Sequence, residues 1–263
     1  MDVKMIICDL DGTLLRSDKT ISPYTLDILH KCRKAGIELG IATARSQHGA
    51  RIITDVFAPD VLIYDGGAMS KIGDLIIFGK AMNGDIAAKL ARLLLQKADY
   101  VAAENDEVYY YGGGPPTPYA NELKNLGFTV EETDFAVPFG SEVHKVSAFI
   151  QSSDAAEIVK YFPDVDITQY HGEILVRFAH KHAAKWQAVA ATSNYFGIDI
   201  KNIAAFGDNY NDVEMLENCG IGVAMENAIY EAKAAAKYVC GSNDNDGVAR
   251  FIEENILQNN LEV

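Results

Sequence analysis

Two carboxylates spaced two apart, Asp9 and Asp11, stand where the apolar run Ile6-Ile7-Cys8 ends, and Gly12-Thr13-Leu14 follows them. Burying a carboxylate without a partner is expensive, so a pair at a strand end implies a cation or fixed donors beside it. Val3 to Cys8 reads as a short strand apolar on both faces, as in a parallel sheet covered by helices, where ligands gather beyond the strands' carboxyl ends. A solvated Asp-Gly turn is the plainer reading of the same residues. A second apolar run, Asn202 to Phe206, ends in Gly207-Asp208-Asn209-Tyr210-Asn211-Asp212 and repeats the pattern. Asp9 and Asp208 from neighbouring parallel strands, with the backbone carbonyl of Asp11, would form an all-oxygen shell of the kind Mg2+ completes with waters and a phosphate oxygen. Cys8, Cys32, Cys219 and Cys240 are too scattered for a zinc motif and read as small core residues of a reducing compartment.

Between the acids lie two further candidates. Ile37 to Ala42 runs as a strand into Thr43-Ala44-Arg45-Ser46, with Ser46 expected as the N-cap of a following helix whose free N–H groups would favour an anion. Lys185 stands near the start of a predicted helix from about Ala183 to Phe196 that Gly197 stops. Read singly, Thr43 is an ordinary junction residue and Lys185 an exposed charge.

In chain order these elements resemble the haloacid dehalogenase superfamily of phosphohydrolases, specifically its Cof-type, sugar-phosphatase-like branch, along the whole chain. Asp9 to Leu14 is similar to that family's first motif, Thr43 to its second, Lys185 to its third and Gly207 to Asp212 to its fourth. Ile221 to Ala228 and Asp246-Gly247-Val248-Ala249 look like its closing segments.

The resemblance implies a Mg2+-dependent phosphatase of small phosphorylated metabolites, sugar phosphates favoured. In it Asp9 attacks phosphorus to form an aspartyl-phosphate, and Asp11 serves as acid, then base. The catalytic set it implies is Asp9, Asp11, Thr43 and Lys185. Leu10, Thr43, Ala44, Lys185 and Asn211 would contact substrate, Asp9, Asp11 and Asp208 would hold the metal, and Asp212 and Arg45 would support them. Two other readings stay open: a phosphomutase of the same superfamily, and a phospho-ligand-binding regulator without turnover.

Three positions depart from the family pattern: Ala44 and Trp186 replace glycines, and Gly66 replaces an amide-bearing residue. A positive φ at Ala44 would be strained. Trp186 is expected to anchor the helix in the core.

The elements that must position these groups form an α/β fold: a doubly wound, mostly parallel Rossmann-like core with an inserted α+β cap. Strand and helix signals alternate over 1–81 and 182–263, which are assigned to the core. Ser22-Pro23 opens a helix running to about Ala35, with Gly36 beyond it. From 82 to 181 the pattern changes to helix, two strands, helix, strand, helix and two strands, the last pair at Ile167 to Tyr170 and Ile174 to Phe178, which suits a specificity cap. Linkers near Gly79 to Gly84 and Ala179 to Ala183 are candidate hinges, with His180 and His182 on the second. Gly112-Gly113-Gly114 precedes no Lys-Ser or Lys-Thr and reads as a loop, not a phosphate cradle.

A net charge of −14 excludes nucleic acid and anionic membrane as partners, so phosphate must be drawn in by local charge from the metal, Lys185 and Arg45. Met1 leads almost at once into a core strand with no leader pattern, so a cytoplasmic protein is expected.

Overall fold

The computed structural model describes residues 1–169 and 174–258. Its strands, in chain order, are β1 (Met5–Cys8), β2 (Glu38–Ala42), β3 (Val61–Tyr64), β4 (Met69–Ile72), β5 (Leu75–Gly79), β6 (Val101–Glu104), β7 (Val108–Gly112), β8 (Thr129–Glu132), β9 (Lys145–Phe149), β10 (Val165–Gln169), β11 (Leu175–His180), β12 (Ile203–Gly207), β13 (Ile221–Ala224) and β14 (Tyr238–Val239). They form two sheets. The larger has the order β14-β13-β12-β1-β2-β3-β4-β5 and is parallel from β14 to β3, with β4 antiparallel. The smaller has the order β10-β11-β9-β6-β7-β8 and is antiparallel except for the β7–β8 pair.

In the doubly wound sheet the chain leaves β1 toward β2 and β3 on one side and comes back through β12 and β13 on the other. The reversal of strand order at β1 and β12 is where such sheets bind ligands. Every residue of β1, β3, β12 and β13 is buried, as their continuous apolar runs require in a sheet covered on both faces. Helix Pro23–Lys34 starts where expected: the Ser22 hydroxyl accepts from the Thr25 N–H at 3.0 Å, and Gly36 beyond the end takes a positive φ. Helix Lys185–Phe196 ends on Gly197 in the left-handed region.

The chain divides into two compact units, one of Met1–Ala44, Ile52–Phe78 and Ala184–Val263, the other of Arg45–Arg51 and Gly79–Ala183. The second contains the smaller sheet and an apolar core that includes Leu90, Leu94, Val146, Ile158 and Phe178. Residues 45–51, read from sequence as part of the core, belong to it. So the Ser46 expectation is corrected. No long helix starts there: the Ser46 hydroxyl accepts from the Gly49 N–H at 3.1 Å and meets the Tyr119 hydroxyl at 2.8 Å, and the only helix nearby is Arg51–Thr54. A serine hydroxyl that bonds the local backbone offers the chain a turn in place of a helix.

Three strands escaped the sequence reading. β4 and β5 form a hairpin about Gly73-Asp74, and β8 is a short, largely exposed edge strand. Within the second unit, Gly112 and Gly113 lie against the Thr133 and Asp99 carbonyls, which is the packing role of a loop. Tyr170 and His171 lie outside the described residues. Trp186 is partly buried and is not among the helix's fully buried residues, which include Lys185, Ala188, Val189 and Thr192.

Candidate active site

Register brings the remote acids together. Cys8 of β1 is paired with Phe206 of β12, and the Asp9 N–H donates to the Phe206 carbonyl at 3.0 Å, so Asp9 and Asp208 emerge side by side past the ends of adjacent parallel strands. Carboxylate oxygens of Asp9, Asp208 and Asp212 all lie within 4.8 Å of one another. Lys185, only 1 % exposed, donates its ammonium to Asp9 Oδ1 and Asp212 Oδ1, each at 2.6 Å. The other oxygen of Asp212 accepts the backbone N–H groups of Asp208 and Asn209, both at 3.0 Å. Asp212 is thereby committed on both oxygens, to the lysine on one side and to its own turn on the other. The Thr13 hydroxyl donates to Asp208 Oδ1 at 3.0 Å.

Burial pushes the Asp9 carboxyl well above the usual carboxylate range, and the neighbouring Asp212 and Asp208 act the same way, against the opposing pull of Lys185. Asp208 is pushed up to about 6, by burial first and by Asp212 second. Burial works against the Lys185 ammonium, but Asp212 and Asp9 together hold its pKa above the ordinary lysine value. Three carboxylates against one ammonium leave a surplus of negative charge in a desolvated place, and their donors are all hard oxygens. This set fits Mg2+. Asp9 and Asp208 offer the oxygens for it, since those of Asp212 are otherwise engaged.

The other predicted residues fall into place unequally. Asp11 is not part of the carboxylate cluster. It is half-exposed, with its carboxylate 2.8 Å from the Lys19 ammonium, so the expectation of a buried pair holds only for Asp9. A turn after β1 lets the chain swing Asp11 to the rim, where an ion pair with a flexible lysine contributes little to stability. Leu10 is fully buried. Thr43, 1 % exposed, follows β2; its N–H donates to Ile63 and its carbonyl accepts from Gly66, both at 2.9 Å. Ala44 does not have the positive φ that would strain it. Asn211 is half-buried in the 3-10 turn Tyr210–Asp212. Arg45 belongs to the stretch that packs with the second unit, where its guanidinium donates to the Gly49 carbonyl at 3.1 Å.

Gly67 was missed. It has φ +94°, and a Cβ there would lie 2.2 Å from the Ala184 carbonyl carbon and 2.3 Å from the Lys185 nitrogen. The turn after β3 thus seats the first residues of the lysine's helix by direct backbone contact. Gly67→Ala is expected to destabilise the fold by about 3 kcal/mol, from a strained φ and overpacking together. The variant should also lose turnover out of proportion to that, because the displaced residue is Lys185. Urea denaturation and phosphate release measured on the same preparation check both.

A family model described as haloacid dehalogenase-like hydrolase matches residues 6–252. The chain belongs to that family. It is 26 % identical over 280 residues to the 5-amino-6-(5-phospho-D-ribitylamino)uracil phosphatase YwtE of Bacillus subtilis, covering 96 % of this chain and 98 % of that one. It is likewise 26 % identical over 281 residues to the pyridoxal phosphate phosphatase YbhA of Escherichia coli, covering 98 % and 100 %. The solved structure of a subclass IIB sugar phosphatase of the superfamily, BT4131, superposes with a TM-score of 0.83 at 23 % identity, over 96 % of this chain and 98 % of the other, which shows a shared fold. Family and full-length relatives together make the protein a phosphoric monoester hydrolase. Among the described residues of this hydrolase, no helix is long and apolar enough to cross a membrane.

Proposed function

We propose that this hydrolase is a Mg2+-dependent phosphatase of small soluble phosphomonoesters, with sugar phosphates favoured, working through a phosphoryl group carried on Asp9. The observation that supports it most is the buried ammonium of Lys185, held at 2.6 Å from both Asp9 and Asp212. A structural lysine has no need of such a place, whereas a carboxylate that must attack an anion needs fixed orientation and nearby positive charge.

In this reading an Asp9 oxygen forms a bond to phosphorus as the bond to the leaving oxygen breaks. The leaving oxygen takes a proton from Asp11, whose rim position allows it to move between solvent and substrate. Asp11 then removes a proton from the water that attacks the acyl phosphate, and Asp9 is released with inorganic phosphate. Lys185 holds the attacking carboxylate in place, Asp212 holds the lysine, and Thr43 and Asn211 are the candidate donors to the transferring oxygens. Mg2+, held by Asp9, Asp208 and the Asp11 carbonyl, would offset the repulsion between carboxylate and phosphate when bound. The relatives act on a phosphoribityl compound and on pyridoxal phosphate, which supports small soluble phosphomonoesters as the class. The second unit, matching the family's cap in chain position, is the proposed determinant of the leaving group.

Hydrolysis of p-nitrophenyl phosphate tests this directly. Turnover should require Mg2+ and fall by about 10³-fold or more with excess chelator, since the ion supplies several kcal/mol of charge stabilisation. Equal rates with and without chelator would count against the reading. With a sugar phosphate as substrate, isomer formation without phosphate release would mean a mutase.

A further inference from the structure

The two closing segments of the chain, which the proposed mechanism does not use, make a series of contacts with the loop that carries Asp11. The Asn227 side-chain amide donates to the Gly12 carbonyl at 2.7 Å, and its oxygen accepts the Asn243 N–H at 3.0 Å. The second bond fixes the orientation of the amide: a backbone N–H can be met only by Oδ1, so Nδ2 must face the carbonyl. The Asn243 side chain donates in turn to the Leu15 carbonyl at 2.9 Å. Arg16 reaches Asp246 through Nε at 3.3 Å and Nη2 at 2.8 Å, and Ser17 bonds Asp244 through both its N–H and its hydroxyl at 2.8 Å. Apart from Asn227 and Asn243, which are close in the chain, these partners are separated by more than two hundred residues.

The carbonyl that Asn227 holds is the one immediately beyond Asp11. Gly12 has φ +82°, and a Cβ on it would lie 2.5 Å from Asp208 Oδ2, so the loop passes over Asp208 with no side chain between them. The next residue is tied on both its groups, the Thr13 N–H to the Leu10 carbonyl at 3.3 Å and its hydroxyl to Asp208. The peptide between Gly12 and Thr13 is therefore held from beneath by Thr13 and from the chain's far end by Asn227. A glycine flanking the acid would otherwise leave the direction of Asp11 poorly set, since glycine populates both signs of φ. The Asp11 carboxylate meets the Lys19 ammonium at 2.8 Å.

We infer that Asn227 is a positioning residue for Asp11, aiming it at the leaving oxygen, with Asn243 fixing the amide that does so. The inference rests on the proposed acid role of Asp11. It has a chemical signature that simple loss of structure lacks. A nitrophenolate departs without a proton, whereas an alkoxide does not, so misplacing the acid harms alkyl phosphates selectively.

The test compares turnover on p-nitrophenyl phosphate and on glycerol phosphate for the wild-type protein, Asn227→Asp, Asn227→Ala and Asp11→Asn, all with saturating Mg2+. Asn227→Asp keeps an oxygen for the Asn243 N–H but has no donor for Gly12, so it removes the one bond in question at an exposed position. Both Asn227 variants should lose about tenfold or more on glycerol phosphate and less than about threefold on the aryl ester, a part of the roughly 10²-fold or greater contribution of a well-placed general acid. Asp11→Asn should show the same selectivity in larger measure. If Asp11→Asn is selective and the Asn227 variants lose equally on both substrates, or on neither, Asn227 does not position the acid. If Asp11→Asn shows no selectivity, the acid assignment itself is wrong and the inference goes with it.

Discussion

Lys185→Met is expected to lower turnover by about 10³-fold or more and to destabilise the protein by about 3–5 kcal/mol, the cost of breaking a buried ion pair by removing one partner. Few substitutions of a single charged residue should cost as much. The ammonium is essentially inaccessible to water and spans two carboxylates, so its removal leaves Asp9, Asp208 and Asp212 in a desolvated cluster with no countercharge. A methionine fills much the same space, which makes the loss one of charge and not of volume. The sign of the pH dependence follows. Burial already raises the Asp9 pKa, and without the lysine it rises further, so the folded variant binds a proton that the unfolded chain does not. A raised carboxyl pKa favours the folded state less as pH rises, so the variant's stability deficit should shrink as pH falls from neutral toward the normal carboxylate range. Urea denaturation at several pH values, beside phosphate-release assays, measures both effects. A deficit that stays below about 1 kcal/mol at neutral pH would mean that the lysine is an ordinary exposed charge.

Asp9→Asn should leave stability almost unchanged and cost still more in rate. Asparagine is nearly isosteric, its oxygen still accepts from Lys185, and the substitution removes a carboxylate that burial penalises, so unfolding free energy should change by no more than about 1 kcal/mol. Turnover should fall by about 10⁴-fold or more, because an amide is a poor nucleophile and a lone nucleophile's loss removes nearly all of the acceleration. The two substitutions thus separate two functions of one ion pair: the lysine contributes charge balance to the fold, and the aspartate contributes reactivity. Residual activity of Asp9→Asn within tenfold of wild type would exclude Asp9 as the group that attacks.

Much of this geometry was legible in the sequence because it rests on strands with few alternatives. Ile6 to Cys8 and Ile203 to Phe206 are apolar throughout, as strands of a parallel sheet covered on both faces are, and an acid just past such a strand lies at the sheet's carboxyl edge. Ser22, Pro23, Gly36 and Gly197 mark helix ends by chemistry that acts within a few residues. The hairpin of β4 and β5 carried a comparable mark, Gly73-Asp74 between two partly apolar runs, and was overlooked because exposed Leu75 and Ile76 do not alternate.

Other features depend on tertiary contact and leave no local trace. A lysine at a helix start is usually solvated, and residue type alone did not distinguish Lys185, which resemblance supplied. Ser46 had the signature of a helix cap, but a partner in the second unit, Tyr119, engages its hydroxyl together with a turn at Gly49. Asn227 touches Gly12 across 215 positions, so no spacing rule connects them. Gly67 looks like any loop glycine until the helix start is seated against it.

Attack by Asp9 is tested by trapping the phosphoryl group itself. Rapid quenching of the protein with substrate and Mg2+ into acid, followed by borohydride reduction and peptide mass spectrometry, converts an acyl-phosphorylated aspartate to homoserine. Homoserine is expected at position 9 in a substrate-dependent amount, and none at positions 11, 208 or 212. Full turnover with no modified aspartate in the burst phase, or with the label on one of the other acids, would contradict attack by Asp9.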